Sequence, residues 1–94
     1  MLTEIEEENG RPYFLWDDQL TWHQLRHILN MPNHPQFAYY LGKTLREANY
    51  GDVWRLVSLQ TVLSHFKEAS PFLGRQRNFW LFLIHNWKQL NLIS

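Results

Sequence analysis

Apolar positions recur along this chain at helical rather than strand spacing, and the breaks between the runs carry helix-start and helix-stop residues. Trp22, Leu25, Ile28 and Leu29 fall on one helix face. Thr21 stands where an N-cap is needed, Gln24 completes a capping box, and Leu20 and Leu25 have the spacing of a hydrophobic staple. Pro32 predicts that this helix ends within a few residues of Asn30. A second helix is predicted from "NHPQ", with Asn33 as N-cap, Pro35 in the first turn and Gln36 at the box position. Its stripe is Phe37, Ala38, Leu41, Leu45 and Ala48. Gly42 borders that stripe and leaves room for a close neighbour.

After the turn "NYGD", Asp52 is the expected cap of a third helix whose apolar phase shifts part-way. Val53, Trp54 and Val57 point one way, whereas Leu56, Leu59, Val62, Leu63 and Phe66 point another, so two helical pieces bent near Ser58 are predicted. In "ASPFLGR", Ser70 is the expected cap, Pro71 the first position and Gly74 a break. The last helix is expected from Arg75 to about Leu90. Phe79, Trp80, Leu83, Ile84, Trp87 and Leu90 form its core arc. Leu81 and Phe82 do not fit that arc, and Tyr39 is similarly out of phase on the second helix.

No strand-like alternation and no internal repeat accompanies these patterns. The expectation is an all-α fold, a compact bundle of about five short helices. Residues 1–12 form a flexible acidic arm closed by Gly10 and Pro12, and residues 13–94 a single helical domain. "YFLW" (13–16) is expected to lie extended on the body and anchor the arm.

Composition narrows the classes. Ninety-four residues make one domain with a small core, and fifteen Phe, Trp and Tyr side chains supply it. The absence of cysteine removes disulfides, thiol chemistry and Cys-based zinc sites, and favours a reducing compartment. "MLTEIEEENG" has no basic or apolar leader region, and the longest apolar run is far below the roughly 20 residues that span a bilayer. A cytoplasmic protein with no membrane association is expected.

The formal net charge of zero conceals an asymmetry. Glu4, Glu6, Glu7, Glu8, Asp17 and Asp18 against Arg11 give residues 1–18 a charge of −5, and residues 19–94 carry +5. An acidic arm on a mildly basic body suits recognition of a partner.

Candidate chemistry is sparse. His23 and His27 have the i, i+4 spacing of a metal-ligand pair, with His34 or Asp17 as a third donor. They lie opposite the apolar face, and Gln24 occupies the place of a hydrolytic base, so solvated histidines are the expectation and no metal or cofactor is assigned. Asp52 is explained by capping, the glycines form no phosphate loop, and no nucleophile elbow surrounds Ser58, Ser64 or Ser70. No enzyme is expected. Arg46, Arg55, Arg75 and Arg77 could make a phosphate-binding face, though they are spread over three helices.

The stretches "FLWDDQLTW", "REANYGDVWRLV" and "RQRNFWLFL" resemble a set of small uncharacterised bacterial proteins. The resemblance rests on Trp16, Asp17, Trp22, Tyr50, Gly51, Asp52, Trp54, Arg77, Phe79 and Trp80, and it spans most of residues 13–87. Trp54 follows the Asp of Tyr-Gly-Asp more closely than is usual in that set. The resemblance implies antitoxin-like partners of nucleotidyltransferase-type toxins, with no activity of their own. The reading from sequence is therefore a small non-catalytic protein–protein interaction module. It would bind another protein, itself, or both, through Leu81, Phe82 and Tyr39. The alternative is a helical nucleic-acid-binding regulator using the four arginines.

Overall fold

The computed structural model describes residues 12–15, 20–90 and 92. Among these residues the chain forms five α-helices and no strand: α1 (Trp22–Leu29), α2 (Phe37–Glu47), α3 (Tyr50–Leu56), α4 (Leu59–Ala69) and α5 (Arg77–Gln89). The all-α bundle expected from periodicity is what the chain adopts. Residues 1–11 of the acidic arm, together with Trp16, Asp17 and Asp18, lie outside the described residues. Pro12 is fully buried, and Tyr13–Leu15 form a 3-10 turn rather than an extended segment, with Phe14 and Leu15 in the core.

α1 begins as its sequence dictates. The Gln24 N–H donates to Thr21 Oγ1 at 3.2 Å, and the Thr21 N–H donates to Gln24 Oε1 at 2.9 Å, closing the capping box. Trp22, Leu25, Ile28 and Leu29 are buried together. α2 starts differently from expectation. Its N-cap is Gln36, not Asn33, because residues 31–36 fold into successive turns. There the imidazole Nδ1 of His34 accepts from the Gln36 N–H at 3.0 Å, doing the work predicted for the Asn33 side chain.

α2 is the element on which the rest assembles, touched by α1, α3, α4, the 13–15 turn and the turns of residues 70–76. Gly42 permits the closest of these approaches. A Cβ there would stand 2.6 Å from Phe72 Cβ and 2.8 Å from the Ala69 carbonyl oxygen, so only hydrogen fits.

α3 and α4 are separated at Val57–Ser58, where Val57 is extended and Ser58 Oγ accepts from the Thr61 N–H at 3.1 Å. The bend is where the phase shift places it. Leu59, expected in the core, is exposed in the first turn of α4, while Val62 is buried and Phe66 packs against the core. Asp52 is not a cap. Asn49 holds that position, and Asp52 sits in the first turn of α3, where it accepts a 2.6 Å hydrogen bond from the Tyr13 hydroxyl. Tyr13 Oη in turn accepts from the Asn49 N–H at 2.8 Å, tying the N-terminal turn to the start of α3. Ser70 ends α4 rather than starting a helix, its Oγ donating to the Lys67 carbonyl at 3.3 Å. Two 3-10 turns follow, with Leu73 buried between them and Gly74 at φ +54°. α5 therefore opens at Arg77, two residues later than predicted.

Candidate docking surface

Of the thirteen residues of α5 only Trp80 is buried. Its indole Nε1–H donates to the Leu45 carbonyl at 2.9 Å, which fixes α5 to the end of α2. Tyr50 stacks on the same ring with centroids 6.0 Å apart, and Trp54 meets it edge-on at 5.8 Å and then meets Trp87 at 6.2 Å. Leu83, Ile84 and Trp87, all within about 60° of Trp80 on the helix, are half-buried. That narrow seam is the whole attachment face.

Beside the seam runs a second apolar stripe. Phe79, Phe82, Leu83 and Leu90 stand at i, i+3, i+4 and i+11 on one side of the helix, interrupted at i+7 by the polar Asn86, whose side chain donates to the Phe82 carbonyl at 2.8 Å. Phe79 is 45% exposed, Phe82 62% and Leu90 66%. Phe79 and Leu90 were expected in the core arc, and the structure places them outside it. The arc predicted from sequence is wider than the single seam the rest of the bundle offers. Leu81 and Phe82 are both exposed, yet they belong to opposite flanks. Phe82 joins the apolar stripe, whereas Leu81, 40% exposed, sits with Arg77, His85 and Lys88. Tyr39 is also exposed, but its ring partners are Phe72 at 5.5 Å and Tyr40 at 5.0 Å, neither of them on α5. The ammonium of the buried Lys43 lies 5.7 Å from the centre of the Tyr39 ring.

Where the stripe meets the end of α2, a groove of about 280 Å³ is lined by Leu45, Arg46, Asn49, Tyr50, Phe79 and Trp80. The α5 side is cationic, since residues 69–94 contain no Asp or Glu against Arg75, Arg77 and Lys88, while Glu47 stands on the α2 side beside Arg46.

The four arginines do not share a helix. Arg46 Nη1 donates to the Phe72 carbonyl at 3.1 Å, and its Nε stands 3.9 Å from the Glu47 carboxylate, so it braces the 70–76 turn. Arg75 and Arg77 are exposed where α5 begins. Arg55 lines a different groove, with Leu29, Asn30, Ser58 and Thr61. His23 and His27 are exposed on α1, and with His34 they edge a shallow groove of about 390 Å³ floored by Leu20 and Ile28. Among the described residues no three His, Asp or Glu side chains converge as metal ligands.

Two features here were not read from the sequence. The Tyr13–Asp52–Asn49 link was missed, although a Tyr nine residues before the first helix and an Asp inside a turn motif are the groups that make it. Burial, reinforced by the hydrogen bond to Asp52, raises the Tyr13 pKa above its usual value. The meeting of Tyr50, Trp54 and Trp80 was missed as well, and it gives those three positions a packing role. Trp16 and Asp17, the first motif pair, lie outside the described residues. No described helix is long and apolar enough to cross a membrane. Compared with protein-family models, with curated proteins and with solved structures, the chain matches none of them.

Proposed function

We propose that this protein is a small non-catalytic interaction module that docks another protein through α5. The partner would present an apolar strip edged with carboxylates. The observation that carries this reading is the exposed stripe of Phe79, Phe82 and Leu90 on a helix held by one buried residue. An apolar face of that kind on a small domain is the mark of an interaction site. Aromatic anchors within a cationic surround supply the affinity and the steering such docking needs. The resemblance to antitoxin-like proteins names the first partner to try, a nucleotidyltransferase-type toxin.

The test replaces Leu81 with Glu and Phe82 with Ser together. Helical content by circular dichroism stays unchanged, because neither side chain is buried. The complex recovered from the native cell, and any self-association seen by light scattering, is lost. Complexes that survive the double substitution end this reading.

A second reading, nucleic-acid binding, is favoured by one observation, the carboxylate-free C-terminal stretch with Arg75 and Arg77 exposed. It requires salt-dependent affinity for DNA that Arg75→Ala and Arg77→Ala abolish. No binding at low salt removes it.

A further inference from the structure

The groove edged by His23, His27 and His34 has no part in the docking reading, and its hydrogen bonds determine what it can hold. We propose that it is a binding site for a small organic monocarboxylate with an apolar body, of which benzoate is a simple example.

His34 sets the chemistry. Its Nδ1 accepts the Gln36 N–H at 3.0 Å, so the proton of the neutral ring sits on Nε2. A metal at Nε2 needs that nitrogen bare and a proton on Nδ1, where it would face the Gln36 N–H. His34 therefore does not complete a metal set with His23 and His27, in keeping with the absence of converging ligands among the described residues. What it offers the groove is a donor.

Gln24 is fixed in the same sense. Its Oε1 accepts from the Thr21 N–H in the capping box, which leaves its amide nitrogen as a donor at the groove wall. His23 and His27 stand one helical turn apart, with roughly 5–6 Å between Cβ atoms. Among the described residues neither ring has a hydrogen-bond or ion-pair partner. Each supplies one N–H when neutral, and a second with a positive charge when protonated.

Four donor side chains thus surround about 390 Å³ of space floored by Leu20 and Ile28, and no carboxylate lines it. Charged groups on the elements around it do not compete. α1 adds only Arg26, and α2, packed against α1, carries Lys43, Arg46 and Glu47. Glu47 lies at the opposite end of α2 from His34, beside Arg46. On α3, Asp52 accepts from the Tyr13 hydroxyl and Arg55 lines another groove. Donors without an acceptor, set over hydrocarbon, fit a ligand that is an acceptor at one end and apolar at the other. The two oxygens of a carboxylate take donors from both walls, while the body covers Leu20 and Ile28 and leaves water. Inorganic phosphate has the acceptors but nothing to lay on the floor, and a neutral amide lacks the charge.

The test titrates benzoate into the full ¹⁵N-labelled chain and follows amide shifts at about pH 6 and about pH 8, a range over which imidazoles lose their charge and carboxylates keep theirs. Saturable shifts confined to residues 20–28 and 34–36 are expected at the lower pH. Affinity falls about tenfold at the higher pH, for benzamide, and in the His23→Gln, His27→Gln double variant, the factor carried by one charge-assisted hydrogen bond. Both histidines are exposed, so the double variant keeps its helical content by circular dichroism. Acetate, with no ring for the floor, binds more weakly than benzoate. Absence of saturable shifts overturns the proposal, as does equal affinity for benzoate and benzamide, affinity unchanged by pH, or full affinity in the double variant. Zn²⁺ that perturbs all three histidines while benzoate perturbs none also overturns it, because the groove is then a metal site and Nε2 of His34 is not the donor.

Discussion

α2 and α5 have nearly the same share of apolar residues, and the bundle treats them in opposite ways. α2 buries seven of its eleven residues, including the polar Thr44 and the charged Lys43, whereas α5 buries one of thirteen. The difference is the number of neighbours. α2 is wrapped by α1, α3, α4 and three turns, so even its polar positions are enclosed. α5 meets the body along the Trp80 seam and leaves its Phe79–Phe82 flank uncovered. Apolar content therefore does not decide burial. Packing partners do, and a helix with more apolar faces than partners has surface left for another molecule.

The largest test of that contrast is Trp80→Ala. Removing a buried Trp costs about 4 kcal/mol, and here it also frees the Leu45 carbonyl and the faces of Tyr50 and Trp54. If Trp80 is the sole buried anchor, α5 detaches first. Its amides lose hydrogen-exchange protection while those of α2 keep it. Equal loss of protection in both helices would show that α5 is as integral as α2, and the contrast would fail.

Gly42→Ala probes the other side. In an exposed helix this change stabilises by about 1 kcal/mol. Against Phe72 Cβ and the Ala69 carbonyl it should instead destabilise by about 2 kcal/mol, since backbone must move. Urea midpoints decide the sign. A stabilised variant would mean that α2 is less tightly enclosed than its burial indicates.

The sequence made this contrast only half legible. Local chemistry was readable: Thr21–Gln24 closes its box and the chain bends at Ser58, because each depends on residues a few positions apart, and Gly42 sits at a close approach because a small residue beside an apolar stripe leaves room for one. The expected caps at Asn33, Asp52 and Ser70 did not form. Each lost to a competitor that the linear pattern does not show: the His34 ring, the Tyr13 hydroxyl and the Lys67 carbonyl. On α5, periodicity identified which residues share an arc but not how wide a neighbour covers it, so Phe79 and Leu90 were misplaced. The surplus character of Phe82 was legible because it contradicts the phase of its own helix.

Tyr13→Phe has a smaller effect and a definite pH signature. The hydroxyl bridges Asp52 and the Asn49 N–H at an exposed site, so its loss should cost about 1 kcal/mol. Burial, then the bond to Asp52, raises the folded-state pKa of Tyr13 above its unfolded value near 10. A raised pKa contributes stability that is fully present below the unfolded value and is lost as pH climbs through the folded one. The wild-type advantage over Tyr13→Phe should therefore be constant to about pH 9 and shrink above it. Thermal unfolding at several pH values checks this, and an advantage that grows with alkalinity would contradict the assigned hydrogen-bond network.

The smallest predicted effect bears most directly on function. Phe82→Ser removes a large aromatic side chain, yet stability should change by less than about 0.5 kcal/mol, the range of surface substitutions. The ring is mostly in water in the isolated chain, so truncating it empties no cavity. The same truncation of a buried residue on α2, Leu41→Ser, should cost at least about 3 kcal/mol, because it opens a void and strands a hydroxyl. Side by side in urea, the two variants measure whether apolar residues on the two helices have different employment. A cost for Phe82→Ser approaching that of Leu41→Ser would mean that the ring is already covered within the isolated chain. A negligible cost, coupled with loss of the complex, places its contribution in association rather than folding.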